Sequence, residues 1–277
     1  MSLASYLLKY LFIHRSCRVP WNEIRLSRTQ PPHGRPCYVP KDDDLCVEFN
    51  VSHQASLVAL AGTIFYSSSS SSSTTTPALP LCPGGTTLLQ PQVGIDITCV
   101  DETTNRGSRK HADVTTSAAL VEYVSIFAEV FSSRELATIK GHSGGGIEAA
   151  LRLFYTYWAL KEAYIKMTGE ALLAPWLREL EFTDVQAPDK ATRLISRPYT
   201  GTQTWMYGKK VPGLRIEIVG FEHDYLVATA ARGGGGDFPW RDLEGIDMER
   251  DIVPCATGSC RCLSEPSPER RLSFGTP

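Results

Sequence analysis

The segment from Phe154 to Phe182, FYTYWALKEAYIKMTGEALLAPWLRELEF, decides the fold, because it joins a strong helical pattern to an abrupt end. Apolar residues recur at helical spacing through it and just before it, at Leu151, Phe154, Trp158 and Ile165. Gly169 is suited to end a helix, since glycine adopts the left-handed conformation without strain. The pattern predicts one long helix over about 147–167.

Glu162 is the residue that needs an explanation, because it falls within or beside this apolar stripe. Glu162 precedes Lys166 by four residues, which is the favourable order for a surface pair worth a few tenths of a kcal/mol. Helix geometry alone therefore favours an ordinary solvated pair over a functional carboxylate.

Upstream, PQVGIDITCV predicts a strand in which Gly94, Asp96 and Thr98 point to one side and the intervening residues to the other. Gly94 would allow another backbone or a ligand to approach closely. Asp96 has two interpretations from its local sequence. It is a functional acid in an apolar strand, or an acid on a solvated strand face.

FNVSHQA lies between two apolar, strand-like runs, and its Ser52 and His53 predict a turn with exposed backbone amides. Such a turn suits a phosphate, although a Ser that caps its own backbone is the commoner local arrangement. Four basic residues, Arg28, Arg35, Lys161 and Lys166, are ordinary solvated charges when they are considered separately.

Strand-like and helical segments alternate along the chain, and a Ser/Thr-rich run separates two halves. This order predicts an α+β protein of two lobes. We assign residues 1–92 to an N-terminal lobe with the linker, 93–232 to a C-terminal lobe, and 233–277 to a flexible tail rich in Gly, Pro and charge.

The net charge of −2 over 277 residues gives no basic field for nucleic acid. The short N-terminal apolar run is interrupted by Lys9 and predicts a packed helix, with neither a membrane span nor a targeting signal. The eight cysteines show no disulfide framework, which favours a cytoplasmic protein. CATGSCRC carries Cys255, Cys260 and Cys262, but a zinc site needs four ligands and this segment holds no histidine, so we expect free thiols.

Taken in order, these blocks resemble the 4′-phosphopantetheinyl transferases, specifically the Sfp-type group. The matching blocks are GRPC, FNVSHQASLVALA, VGIDI, FSSRE and WALKEAYIKMTGEALL. The segment around Asp96 and the cysteine-rich tail are similar to filamentous-fungal members. The resemblance implies an α+β fold of two pseudo-symmetric lobes.

The resemblance implies an enzyme that transfers 4′-phosphopantetheine from coenzyme A to a serine of an apo carrier protein, releasing adenosine 3′,5′-bisphosphate. Carriers of polyketide, non-ribosomal peptide and lysine biosynthesis are the partners that it suggests, and the relatives are monomers. The alternative is a non-catalytic homologue that binds coenzyme A or a carrier protein without transferring.

Each site residue takes a role from the resemblance. Asp96 and Glu162 would hold Mg²⁺, Glu162 would also be the general base, and Lys166 would contact the coenzyme phosphates and stabilise the transition state. The remaining coenzyme contacts would be Arg28, Arg35, Ser52, His53 and Lys161. Thr98 stands where some bacterial members have a third acidic ligand. Trp158 is assigned to packing, and Glu135 is assigned to support of the fold or the metal site.

Family members also carry several dozen residues, including a first strand, before the helix that begins here near Leu3. We therefore expect an incomplete first lobe and low stability, because a missing strand exposes a sheet edge.

Overall fold

The structure, a computed structural model, describes residues 3–29, 34–42, 45–66, 91–100, 114–170, 174–190, 194–233 and 242–264. The Ser/Thr-rich linker lies outside the described residues. Helices and small antiparallel sheets are mixed along the chain, which confirms the predicted α+β class. Among the described residues, no helix has both the length and the apolar composition needed to cross a bilayer.

The described residues divide into two compact units. The first draws on Met1–Glu48, Gly62–Thr87 and Asp237–Pro277, and the second on Phe49–Ala61 and Leu88–Gly236. These units differ from the predicted lobes in two places. The middle of one hairpin groups with the second unit, and the end of the chain groups with the first.

The second unit is built on a three-stranded antiparallel sheet in the order β5-β10-β9, formed by β5 (Gln92–Cys99), β9 (Leu214–Phe221) and β10 (Tyr225–Arg232). The hairpin predicted over residues 214–232 is present as β9 and β10, with Tyr225 opposite Phe221. Three short strands, β6 (Leu180–Thr183), β7 (Gln203–Met206) and β8 (Lys209–Lys210), form a separate sheet.

The described residues of the second unit also form three α-helices, α2 (Ser117–Ser125), α3 (Ser133–Gly141) and α4 (Ile147–Thr168). The long helix α4 packs on β5 and β10 and ends at Gly169, which has a left-handed φ of 80° as predicted. Gly94 makes this packing possible. A Cβ there would overlap the backbone of Ala163 and Met167, so only glycine lets β5 lie this close to α4.

In the first unit, α1 (Leu3–Cys17) is followed by a small hairpin of β1 (Leu26–Arg28) and β2 (Pro36–Tyr38). The longer hairpin of β3 (Leu45–Gln54) and β4 (Leu57–Tyr66) has residues in both units.

The segment predicted as a flexible tail contains a π-helical turn, Met248–Ile252, and α5 (Val253–Thr257). Ile252 and Cys255 are buried with Leu11 of α1 in a small apolar cluster. These two apolar side chains anchor a segment whose overall composition is that of a loop, and composition alone therefore did not show the packing.

Candidate active site

Asp96 lies in the middle of β5, and both faces of that strand are buried. Its exposed fraction is 5%, so the interpretation as a solvated acid is wrong. Oδ1 accepts hydrogen bonds from Lys166 Nζ at 2.7 Å and Ser52 Oγ at 3.2 Å, and Oδ2 accepts one from Thr98 Oγ1 at 2.7 Å. A buried carboxylate held by three donors is kept in one orientation.

Ser52 reaches Asp96 from β3 rather than from a turn, because β3 continues to Gln54. The turn predicted at Ser52 and His53 lies further on, where Ala55 takes a φ of 52°. The Ser52 hydroxyl accepts from Ile97 N at 3.1 Å and from Lys166 Nζ at 2.9 Å while it donates to Asp96. A hydroxyl has one donor and two acceptor sites, so all three are filled.

Asn50 is a site-supporting residue that the sequence analysis missed. Its Oδ1 accepts from Ile95 N at 3.3 Å, while Ser52 serves Ile97 N. These two amides lie on the edge of β5 that β10 does not cover. The side chains of Asn50 and Ser52 thus accept the hydrogen bonds of two β5 amides that backbone carbonyls of a neighbouring strand would otherwise accept. The signal was the polar alternation of Asn50 and Ser52 in a run interpreted as apolar.

Glu162 and Lys166 lie one turn apart on α4, and Lys166 forms an ion pair with Asp96 at 2.7 Å. The pKa of Glu162 is raised to about 7, chiefly by burial and secondly by the nearby charge of Asp96, while Lys166 acts to lower it. The two carboxylates are therefore close enough to interact although residues 96 and 162 are distant in sequence.

These groups fit a hard divalent cation. The carboxylates of Asp96 and Glu162 influence each other, Thr98 donates to Asp96, and oxygen ligands of these types are the ones that Mg²⁺ prefers. Burial is the largest cause of the raised pKa of Glu162, and a divalent cation beside this carboxyl group would favour its ionised form.

Lys161 has a different position from the one predicted for a coenzyme ligand. Its side chain is completely buried, and its Nζ lies 2.9 Å from Glu135 Oε2. It also donates to Leu177 O at 3.0 Å and to Leu180 O. With three acceptors and no exposed surface, this ammonium cannot contact coenzyme A without unfolding the core around it.

Glu135 and Trp158 have the supporting roles predicted for them. Glu135 is fully buried, completes a capping box with Ser132 at the start of α3, and accepts from Phe182 N at 2.9 Å. Trp158 packs edge-on against Phe127 at 5.6 Å between ring centroids.

The other predicted coenzyme ligands are not brought to Asp96 by any described contact. His53 follows Ser52 on β3 and is exposed. Arg28 donates to Gly34 O at 2.7 Å, and Arg35 pairs with Glu48 at 2.8 Å. Both arginines belong to the first unit.

Comparison with known families gives two matches. Residues 92–230 match the 4′-phosphopantetheinyl transferase superfamily, and residues 1–65 match the N-terminal region of 4′-phosphopantetheinyl transferases. The two matches together cover every residue of the Asp96 cluster.

Similar proteins carry the same description. The chain is 53% identical to 4′-phosphopantetheinyl transferase A of Aspergillus fumigatus, over 96% of this chain and 85% of that protein. It is 48% identical to 4′-phosphopantetheinyl transferase NpgA of Emericella nidulans, over 95% and 84%. The human L-aminoadipate-semialdehyde dehydrogenase-phosphopantetheinyl transferase is 27% identical to this chain, over 97% of this chain and 79% of that protein.

Proposed function

The chain belongs to the 4′-phosphopantetheinyl transferase superfamily, and from that premise we propose how its residues carry out the transfer. The protein is a transferase that moves 4′-phosphopantetheine from coenzyme A to a serine of an apo carrier protein. In our proposal Asp96 and Glu162 hold a Mg²⁺ beside the coenzyme pyrophosphate, with Thr98 supporting Asp96. Held by these two carboxylates, a Mg²⁺ would supply the positive charge that the pyrophosphate needs as a P–O bond breaks.

The observation that carries this proposal is the convergence on Asp96. A strand, a hairpin and a helix each send a polar side chain to one buried carboxylate, through Thr98, Ser52 and Lys166. Such a cluster is costly to build unless it binds something, because buried charges are expensive when they are not fully compensated. Asp96 and Glu162 are near enough to influence each other, and two carboxylates together support a cation as that ligand.

Glu162 is our candidate for the general base. Its carboxylate would accept the proton of the carrier serine as that oxygen attacks phosphorus, either directly or through a water molecule. Lys166 is 28% exposed at its side chain, so its ammonium can also meet phosphate oxygens from the solvent side. There it would stabilise the charge that develops on the leaving adenosine 3′,5′-bisphosphate.

The remaining coenzyme contacts are proposed with two changes. Arg28, Arg35 and the exposed His53 keep the predicted roles at the nucleotide and its phosphates. Ser52 has no free hydrogen-bonding capacity, and we propose that it acts by positioning Asp96 and Lys166. Lys161 is left out of the set because its ammonium is enclosed.

We further propose a monomeric enzyme in the cytoplasm that serves carriers of polyketide, non-ribosomal peptide and lysine biosynthesis. The human relative, whose name links it to L-aminoadipate-semialdehyde dehydrogenase, supports the lysine carrier.

The test is an intact-mass assay with the 277-residue chain, an apo carrier protein, coenzyme A and Mg²⁺. We expect the carrier to gain the mass of one phosphopantetheinyl group. Glu162→Gln and Asp96→Asn should each slow transfer by about 10²–10⁴-fold with the fold retained. Glu148→Gln is the matched control, since Glu148 is an exposed acid in the first turn of the same helix. Wild-type rates in both site variants, or coenzyme binding without transfer in the unmodified chain, would overturn the proposal.

A further inference from the structure

A second cluster of potential metal ligands lies in the first unit, apart from the residues around Asp96. One ligand atom each of His14, Cys255, Cys260 and Cys262 lies within 4.8 Å of all the others. His14 comes from α1, while the cysteines come from α5 and the turn after it. The three cysteines alone are too few to fill a zinc site. The fold brings in a fourth ligand, His14, which precedes Cys260 by 246 residues.

The histidine is already set in the tautomer that a metal needs. His14 Nδ1 lies 2.7 Å from the carbonyl oxygen of Val19, which can only accept a hydrogen bond, so Nδ1 carries the proton. Nε2 therefore presents its lone pair, and it faces Cys260 Sγ at 3.1 Å. A backbone carbonyl on the distal ring nitrogen is the usual support of a metal-bound histidine.

The spacing of one pair of sulfur atoms suits a tetrahedral ion. Cys255 Sγ and Cys262 Sγ are 3.7 Å apart. Zinc–sulfur bonds of about 2.3 Å in a tetrahedron place two sulfur atoms about 3.8 Å apart. His14 and Cys255 are each 1% exposed, so the site is closed on its inner side by the cluster that contains Leu11 and Ile252.

The backbone after α5 brings the three thiols together. Gly258 ends the helix in the left-handed conformation, with φ of 79°. The amides of Ser259 and Cys260 then both donate to Pro254 O, at 2.9 and 3.0 Å, which turns the chain back on the helix. This turn is formed by local hydrogen bonds, so the ligands are arranged before any ion arrives.

Charge around the cluster is also suitable. Three thiolates and a neutral imidazole leave one net negative charge around a divalent ion. Arg15, which follows His14, interacts with Cys255 and is itself held by Asp251 at 3.0 Å. A guanidinium at this place offsets the excess charge of the thiolates.

We propose that His14, Cys255, Cys260 and Cys262 form a structural Zn²⁺ site of the Cys₃His type, which joins α1 to the end of the chain. Thiolate and imidazole ligands select zinc over the hard cation that the Asp96 cluster suits. Binding would release the three thiol protons to solvent and would form three Zn–S bonds and one Zn–N bond. The four protein ligands fill the coordination sphere, so the site is structural rather than catalytic.

The first experiment measures zinc in the full chain, purified under reducing conditions without chelators, by inductively coupled plasma mass spectrometry. We expect about one zinc per chain. Cys260→Ser and His14→Gln should lower the zinc content several-fold. Cys37→Ser is the matched control, because Cys37 is a cysteine of the same unit outside the cluster. This variant should keep the zinc content of the wild type. A zinc-free wild-type chain, or equal zinc in all variants, would overturn the proposal.

The second experiment does not depend on the folding of a variant. The wild-type chain is stripped of metal with a chelator and titrated with Co²⁺, which reports tetrahedral thiolate ligation by intense visible absorption. Absorption that saturates at one equivalent of Co²⁺ and disappears when Zn²⁺ is added supports the site. No absorption, or a non-reduced mass lower by two hydrogen atoms that identifies a Cys255–Cys262 disulfide, would overturn it. Both readouts are independent of transfer activity, so they can fail while the proposed catalytic site stands.

Discussion

Lys161 and Lys166 lie five residues apart on the same helix, and each is paired with an acid from another element. Lys161 is fully buried, and its ammonium is surrounded by Glu135 and two backbone carbonyls. Lys166 is 28% exposed and shares Asp96 with two hydroxyl groups. One pair is closed and the other is open to solvent.

The two pairs also differ in the charged groups that lie beside them. Burial lowers the pKa of Lys161 and raises the pKa of Glu135, and each charge opposes the shift of the other. At the open pair a further carboxylate, Glu162, keeps a pKa raised to about 7. Burial of charge is common to both pairs, and the open pair differs in its access to solvent and in the second carboxylate beside it.

The largest effect expected from this comparison is on stability. Lys161→Met should lower the free energy of unfolding by about 3–5 kcal/mol, because it leaves Glu135 buried without a counter-charge. Lys166→Met should cost about 1 kcal/mol, since its partner keeps two hydrogen bonds and the pair is partly solvated. Chemical denaturation of the two variants measures both.

The double variant Lys161→Met/Glu135→Leu is the control for the closed pair. Removing both charges should recover most of the stability that the single change loses. If the two lysine variants were equally stable, the distinction between a closed and an open pair would be wrong.

A smaller effect is expected on catalysis. Lys166→Ala should slow transfer by roughly 10²–10³-fold, as expected for loss of one charge-stabilising donor. The Michaelis constant for coenzyme A should rise as well, since the same ammonium contacts its phosphates in our proposal. Steady-state kinetics with an apo carrier measures both constants. A normal rate with normal stability would remove Lys166 from the catalytic set.

The smallest effect concerns pH. Without divalent ions, the native state holds a proton on Glu162 up to about pH 7, while an unfolded glutamate releases it near about pH 4. Folding stability from this group is therefore greatest at low pH and falls as pH rises through about 7. Glutamine does not titrate, so the Glu162→Gln variant does not lose this stability as the pH rises. We expect the variant to melt about 2–4 °C above wild type at about pH 9 but not at about pH 5.

Melting curves in chelator test this sign, and Mg²⁺ should then raise the wild-type melting temperature more than that of Glu162→Gln. A variant that melts below wild type at high pH would contradict the assigned pKa direction.

Local pattern was sufficient for the elements that position the site. The spacing of apolar residues predicted α4 to within a residue or two, and Gly169 and Gly94 have the roles expected from their sequence context. The period of β5 placed Asp96 on the side of Gly94 and Thr98, but it did not show that both faces of the strand are buried. The period of α4 did not decide between a solvated and a functional Glu162.

Contacts between distant residues could not be predicted in this way. Lys161 and Lys166 match the same motif, and only the tertiary structure shows that one of them is enclosed by Leu177 and Leu180. The role of Asn50 depends on the uncovered edge of β5, and the pairing of His14 with Cys260 joins residues 246 apart. No local period encodes such pairs, since they depend on how separate elements pack.

The contacts between α1 and residues 251–262 also set the order in which this chain can fold as it leaves the ribosome. Synthesis adds about 5–20 residues per second, so His14 waits roughly 12–50 s before Cys260 is made. The residues of the second unit end at Gly236, so all of them are made before Cys260. During that interval Leu11 of α1 lacks its late partners, Ile252 and Cys255, and its apolar surface is open to chaperones.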